Sequence, residues 1–241
     1  MSNDRKYRNI YVIGDIHGDW AGLESVIHQM IGDGFNPVDD LLVQLGDLVD
    51  GFDHSKEVVS YFKRVNSHYP ENVIILRGNH DELMIHGAAF PYDHDQFRVW
   101  WHQGGKETWK SYWNDDPIFI GGYAPVSDLM HEHIEWFKTL PTLFETEHYY
   151  FVHAGLDPER EPQDTSIYSR LWIRGPFLKT RRKWDKLVIH GHSPVKEPEV
   201  HDNRVNVNTR PRNTGKVSGA LLSATEPKVL KFYSGPVSKR K

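Results

Sequence analysis

The chain predicts an α/β fold built on a βαβαβ core, and three observations carry that prediction. Five short β-branched or aliphatic runs, at residues 9–13, 41–45, 72–76, 148–152 and 186–189, each end in a polar cluster. The segments between the first three runs carry apolar residues at the three-to-four spacing of an amphipathic helix. Strand and helix alternate at about 30-residue intervals, the length of a parallel, right-handed βαβ unit.

Taken in order, Ile10-Tyr11-Val12-Ile13 is continuously apolar and stops at Gly14-Asp15, as a strand buried on both faces reads. Trp20, Leu23, Val26, Ile27, Met30 and Ile31 then fall on one helix face. The run at 41–45 is the second strand, Val58, Val59, Phe62 and Val65 mark the second helix, and 72–76 is the third strand. From 82 to 141 the rhythm breaks. Trp100, Trp101, Trp109, Trp113 and Trp136, with Gly104-Gly105 and Gly121-Gly122 as breakers, predict helices over 95–103 and 128–139. These form an aromatic-rich helical cap inserted over the sheet edge. Trp100 and Trp101 cannot share one inward stripe, so one of them is expected to face a groove. The runs at 148–152 and 186–189 supply two more strands. Beyond residue 200, the segments 204–207, 216–222 and 228–233 read as strands of a second, mostly antiparallel sheet, and residues 238–241 as a solvated end. The expected organisation is one domain over 1–241, with 82–141 as the helical insertion and 200–236 as the closing strands of the second sheet.

Composition removes several function classes. The 29 basic and 33 acidic residues leave a net charge of −4, which excludes a globally basic nucleic-acid binder. With no cysteine, a disulfide scaffold, a thiolate zinc site and a cysteine-nucleophile phosphatase are excluded together. No stretch approaches the roughly 18 apolar residues that a membrane span needs. The start of the chain is too quickly interrupted for a secretory signal, so a cytoplasmic location is expected. Fifteen histidines and eight tryptophans point to metal chemistry or aromatic-lined pockets.

Each predicted strand ends in residues that bind divalent ions. The clusters are Gly14-Asp15-Ile16-His17-Gly18, Gly46-Asp47-Leu48-Val49-Asp50, Arg77-Gly78-Asn79-His80-Asp81, His153-Ala154-Gly155 and His190-Gly191-His192. All five lie at carboxyl ends of strands, where open α/β sheets place their sites. Carboxylate, imidazole and amide oxygen without thiolate suit Mn²⁺, Fe or Zn²⁺ rather than Cu(I) or Ca²⁺. Six donors exceed one tetrahedral site, and an aspartate can bridge two ions. Such a pair, about 3.5–4 Å apart, suits in-line attack of hydroxide on phosphorus.

The ordered series GDIHG, GDLVD, LRGNHD, VHAG and GHSP resembles the calcineurin-like metallophosphoesterases. It is most similar to their phosphoprotein phosphatase branch, which includes bacterial and phage serine/threonine phosphatases and symmetrical dinucleoside tetraphosphatases. The resemblance implies a two-sheet sandwich with helices outside and two divalent ions, Mn²⁺ first, with Fe, Zn²⁺, Ni²⁺ or Mg²⁺ as alternatives. It implies Asp15 and His17 on the first ion, Asp47 bridging both, and Asn79, His153 and His192 on the second. His80 matches the acid that protonates the leaving oxygen, and Asp50 the carboxylate that orients it. Arg77, Arg174 (in Leu171-Trp172-Ile173-Arg174) and Asn79 match the groups that hold the substrate phosphate. His190 is expected behind the site and not on a metal. The implied reaction is one-step hydrolysis of a phosphomonoester by a metal-bridging hydroxide. Its expected substrate is a phosphorylated protein at serine, threonine or tyrosine, or another small phosphoester. Dinucleoside polyphosphates and cyclic nucleotides are the alternatives, and an inactive phosphatase-fold binding protein is the alternative of another class.

The chain departs from the family in two places. The GDxVDRG arginine is replaced by Gly51, and Asn206-Val207-Asn208-Thr209 runs into Arg210 where the family has a glycine. A lost charge-assisted phosphate contact costs about 1.5–3 kcal/mol. His54, Lys56 and the loop Arg210-Pro211-Arg212 are the candidates to replace it.

Overall fold

A computed structural model describes residues 7–113, 119–209 and 215–236. The chain runs β1 (Ile10–Ile13), α1 (Trp20–Gly32), β2 (Leu41–Gln44), α2 (Ser55–His68), β3 (Val73–Ile75) and α3 (Asn79–Gly87). There follow α4 (Asp95–Trp100), a π-helical turn (Trp101–Gly105), α5 (Lys106–Trp113) and α6 (Asp128–Thr139). The second half holds β4 (Leu143–Glu145), β5 (Tyr149–Val152), a 3₁₀ turn (Pro162–Asp164), α7 (Ile167–Trp172), α8 (Gly175–Lys179) and β6 (Leu187–His190). It ends with β7 (Glu199–Val200), β8 (Arg204–Asn206), β9 (Ser218–Leu222) and β10 (Val229–Ser234).

Two five-stranded sheets, ordered β10-β9-β1-β2-β3 and β4-β5-β6-β8-β7, pack face to face. Side-chain alternation along each strand decides what each face touches. In β1, Ile10 and Val12 enter the apolar layer between the sheets with Leu41, Val43, Tyr149, Phe151, Ile189 and Val205. Tyr11 and Ile13 point the other way, into a layer with Leu23, Val26 and Met30 of α1 and Val58, Val59 and Phe62 of α2. Behind the second sheet, Tyr150, Val152 and Val188 pack on Phe177 and Trp184. The strands read as continuous apolar runs because both of their faces are covered.

The parallel pairs β1–β2–β3 and β5–β6–β8 direct their carboxyl ends to one rim. Helix caps set the entry angles of α1 and α6: Asp19 accepts from Gly22 N (2.9 Å), and Ser127 accepts from Met130 N. The segment 82–141 supplies Phe97, Trp100, Trp109, Met130, Ile134 and Phe137 to the α1–α2 layer, so its helices share that core.

Two expectations change. The strands beyond residue 200 do not share one sheet. Only β7 and β8 join the second sheet, with β8 parallel to β6, while β9 runs antiparallel along β1 and carries β10 with it. The reason is the free edge that a β1-β2-β3 order leaves on an apolar β1, which must be covered. The helix expected over 95–103 stops at Trp100 and continues as a π-helical turn in which Gly104 takes φ +108°. Trp100 is fully buried and Trp101 half-buried.

Candidate metal centre

All five polar clusters meet at the rim formed by the parallel strand ends. Asp15 and His17 follow β1, Asp47 and Asp50 follow β2, Arg77, Asn79 and His80 follow β3, His153 follows β5, and His192 follows β6. Among the described residues, four that are not glycine have positive φ: His17, Asp47, Asp50 and His192. All four belong to this rim, and Asp and His are types that tolerate the left-handed region. The turns bend sharply enough to aim consecutive polar groups inward, as functional sites do. Gly78 allows a close approach: a Cβ there would lie 2.2 Å from Asp47 N and 2.3 Å from Asp47 Oδ1. Asp81 ties the β2 and β3 loops together by accepting from Asp47 N (2.9 Å), Leu48 N (3.0 Å) and Gly78 N (2.8 Å).

Asp47 stands between two groups of donors. Its Oδ2 lies 3.5 Å from His17 Nε2 and its Oδ1 3.4 Å from His153 Nε2. His17, Asp47 and His80 offer ligand atoms within 4.8 Å of one another, and so do Asp47, His153 and His192. The backbone sets the tautomers. His17 Nδ1 donates to the Val49 carbonyl (2.9 Å) and His153 Nδ1 to the Leu45 carbonyl (2.8 Å), because a carbonyl only accepts. A neutral ring so held presents an Nε2 lone pair to oxygen: His17 to Asp47, and His153 to Asn79 Oδ1 at 2.8 Å. Facing acceptors repel, and a divalent cation between them removes the repulsion. Rings oriented by carbonyls and aimed at shared oxygens are what metal-binding histidines need. The donor set therefore fits divalent cations.

Asp15 closes the first group. Its Oδ2 is 3.8 Å from His17 Nε2, Oδ1 accepts from His192 N (3.1 Å), and Asn208 Nδ2 donates to Oδ2. Burial and the neighbouring Asp47 carboxylate push the Asp15 carboxyl up to about 7. Asn79 Oδ1 also meets His192 Nδ1 at 2.8 Å, while Arg174 Nε lies 3.0 Å from His192 Nε2. His190 is fully buried against the Phe177 ring, and burial lowers its imidazole to about 3. It points away from both donor groups, at the Gly191 carbonyl (3.0 Å).

Asp50 and His80 form a buried pair, with Oδ2 3.0 Å from Nδ1. The His80 backbone N–H donates to Asp47 Oδ1 (2.8 Å), which joins this pair to the donor groups. Arg174 is exposed at the edge of the site, whereas Arg77 is half-buried and ion-paired with Glu82 at 3.3 Å. The turn that lacks the family arginine is closed. Gly51 and Phe52 are buried, and Phe52 N donates to the His17 carbonyl (2.7 Å). His54 and Lys56 both lie against Glu57 (3.8 and 3.5 Å), and Arg210-Pro211-Arg212 lies outside the described residues.

Sequence reasoning missed Asn208, Asp81, Trp100 and Thr108. Trp100 Nε1 and Thr108 Oγ1 both donate to Asp50 Oδ1, at 3.1 and 2.8 Å. Asn208 could have been found in the altered turn at 206–209. Nothing local marks Thr108.

The calcineurin-like phosphoesterase family matches residues 8–221. Serine/threonine-protein phosphatase 2 of Salmonella typhimurium is 26% identical over 228 residues, covering 90% of this chain and 94% of its own length. The symmetrical bis(5'-nucleosyl)-tetraphosphatase of Actinobacillus succinogenes is 28% identical over 151 residues, covering 62% of this chain and 45% of its own. Among solved structures, a protein serine/threonine phosphatase from Saccharomyces cerevisiae superposes with a TM-score of 0.60 at 18% identity. That match covers 99% of this chain and 83% of the other, a likeness of fold.

Proposed function

We propose, for a chain that belongs to the calcineurin-like phosphoesterase family and so is a metal-dependent phosphoester hydrolase, that its substrates are phosphorylated side chains of proteins. The observation that carries this reading is the buried Asp50–His80 pair at 3.0 Å. A seryl or threonyl alkoxide is a poor leaving group and needs a proton in the transition state, whereas the nucleoside phosphate released from a dinucleoside polyphosphate leaves without one. The match along nearly the whole length of a serine/threonine-protein phosphatase supports the same substrate class.

In this reading Asp15, His17 and Asp47 hold one divalent cation. Asp47, Asn79, His153 and His192 hold a second, with Mn²⁺ the first choice for such oxygen and imidazole donors. When bound, the cations supply positive charge to the phosphate and activate the attacking water. The protein's own groups do the rest. Arg77, Arg174 and Asn79 orient the phosphoryl oxygens, Asp47 keeps the two cation sites together, and His80 delivers a proton to the leaving oxygen while Asp50 holds its ring. The deciding measurement is kcat/KM, with Mn²⁺, on a phosphoserine peptide, a phosphotyrosine peptide, diadenosine tetraphosphate and 2′,3′-cyclic AMP. The peptides are expected to exceed both nucleotides by about 10-fold or more, the worth of one good contact.

One observation favours a second reading. Tyr168 is exposed and stacks on Trp172, whose ring lies 6.2 Å from the His192 ring. This aromatic ladder beside the donor groups would suit a nucleobase. Preference for diadenosine tetraphosphate in the panel would replace the phosphoprotein reading with this one.

The closed turn at Gly51 yields a prediction of definite sign. Gly51→Arg places a long cation in a buried turn whose neighbour Asp50 is already held by Trp100 and Thr108. The turn must move, and displacements of about 1 Å near the chemistry can cost about 10²-fold. We expect kcat/KM on phosphomonoesters to fall by about 10–100-fold. A gain would mean that the turn has room and that the chain simply lacks one phosphate contact.

A further inference from the structure

The insertion at 82–141 reaches directly into the acid pair. Asp50, Thr108 and Trp100 are all fully buried, so the hydrogen bonds among them are unscreened by water. The Thr108 hydroxyl accepts from the Asp50 backbone N–H (2.9 Å) and donates to Asp50 Oδ1 (2.8 Å). One hydroxyl thus closes a ring through a single residue, holding both the left-handed backbone of Asp50 (φ +69°) and the rotation of its carboxyl group. Because that hydroxyl has one proton, Ser55 Oγ, 3.2 Å away, is the donor in their contact. Trp100 Nε1 brings a second donor to Oδ1 at 3.1 Å. With Oδ1 held from two sides, Oδ2 is directed at His80 Nδ1.

The path of the chain between these donors shows how they come to meet. Eight positions apart on a straight α-helix, Trp100 and Thr108 would be separated by about 12 Å along the axis. That is too far for both to bond one oxygen. The π-helical turn Trp101–Gly105 intervenes and is broken at Gly104. Gly104 packs on the Asp50 backbone itself, where a Cβ would come within 2.7 Å of the Asp50 carbonyl carbon. Such π-turns recur at functional sites, where they redirect side chains.

We propose that Trp100 and Thr108 are positioning residues for leaving-group protonation, so that the insertion is part of the catalytic apparatus and not only a wall over the sheet. This rests on the assignment of His80 as the acid. The test compares kcat and KM of the full-length Mn²⁺ enzyme on a phosphoserine peptide and on p-nitrophenyl phosphate, whose leaving group departs without a proton. Thr108→Val keeps the shape of the side chain and removes the hydroxyl. It is expected to lower kcat on the peptide by about 10-fold or more. On p-nitrophenyl phosphate kcat should stay within about 3-fold of the parent, the worth of less than 1 kcal/mol, with KM and bound metal unchanged. Thr108→Ser, which restores the hydroxyl, should recover most of the loss. Trp100→Phe keeps the ring packing and should show the same peptide-selective loss, and it serves as the reporter should Thr108→Val prove too unstable to purify.

Equal losses on the two substrates, while His80→Ala remains peptide-selective, would reduce Trp100 and Thr108 to structural supports and overturn the proposal. If His80→Ala is itself unselective, the acid assignment fails first and the proposal falls with it. The His80 variant thus tells the two failures apart.

Discussion

Asp47→Asn is expected to lose about 10²–10⁴-fold in kcat and to bind close to one metal ion per chain where the parent is expected to bind two, while its far-ultraviolet circular dichroism is unchanged. The rate estimate follows from two charge-assisted contacts, each worth about 1.5–3 kcal/mol, of which the neutral amide retains little. The loss of metal should be one-sided. Oδ1 of Asp47 accepts the His80 backbone N–H at 2.8 Å, so the amide oxygen of the variant takes that position. The NH₂ group must then point along the former Oδ2 direction, toward His17 Nε2. An amide NH₂ cannot bind a cation but can donate to that imidazole, which keeps the ring in place and the fold intact. The ion proposed for Asp15 and His17 is therefore the one expected to be lost. Elemental analysis of the purified variant, together with single-turnover kinetics, decides the matter. Two retained ions with near-normal turnover would show that Asp47 does not bridge.

His80→Ala carries the second large effect, and its size should depend on the leaving group. General-acid assistance contributes about 10²–10⁴-fold where a proton must be delivered. For a phosphoserine peptide that whole factor should disappear from kcat. For p-nitrophenyl phosphate most of the rate should remain, since the departing phenolate is stable in water. The geometry supports this division of labour. His80 Nδ1 faces Asp50 at 3.0 Å, and the His80 ring stands edge-on to the His17 ring with centroids 4.8 Å apart. It therefore sits beside the ring proposed to hold the first cation while its own Nδ1 is occupied by a carboxylate. A parallel loss of metal in His80→Ala would instead mark His80 as a ligand, an outcome that the 4.8 Å grouping of His17, Asp47 and His80 makes worth measuring.

Much of this was legible in the one-dimensional pattern. Runs such as Ile10-Tyr11-Val12-Ile13 and Tyr149-Tyr150-Phe151-Val152 are apolar at every position because both faces of their sheets are covered. Asp128–Thr139 is the helix that its periodicity announces. The metal-type donors could be found because each sits within a few residues of a strand end, so that one local feature marks both the strand and its chemistry. The helix over 95–103 was harder. Its apolar spacing continues past Trp100, and only the packing of Gly104 against Asp50 turns the chain there.

By itself, then, the amino-acid order determined the strand–helix alternation, the absence of thiolate chemistry and the placing of polar clusters at the strand ends, all properties of neighbouring residues or of composition. Tertiary structure alone decided the rest. Asn208 donates to Asp15 across 193 positions of chain, and Thr108 reaches Asp50 across 58. β9 covers the free edge of β1, and Asp47 stands between His17 and His153. A periodicity records which face of an element is buried, since burial repeats with the element's own geometry. It holds no record of the partner on the other side of that face, because which segments meet is settled by sheet order, register and the filling of a shared core.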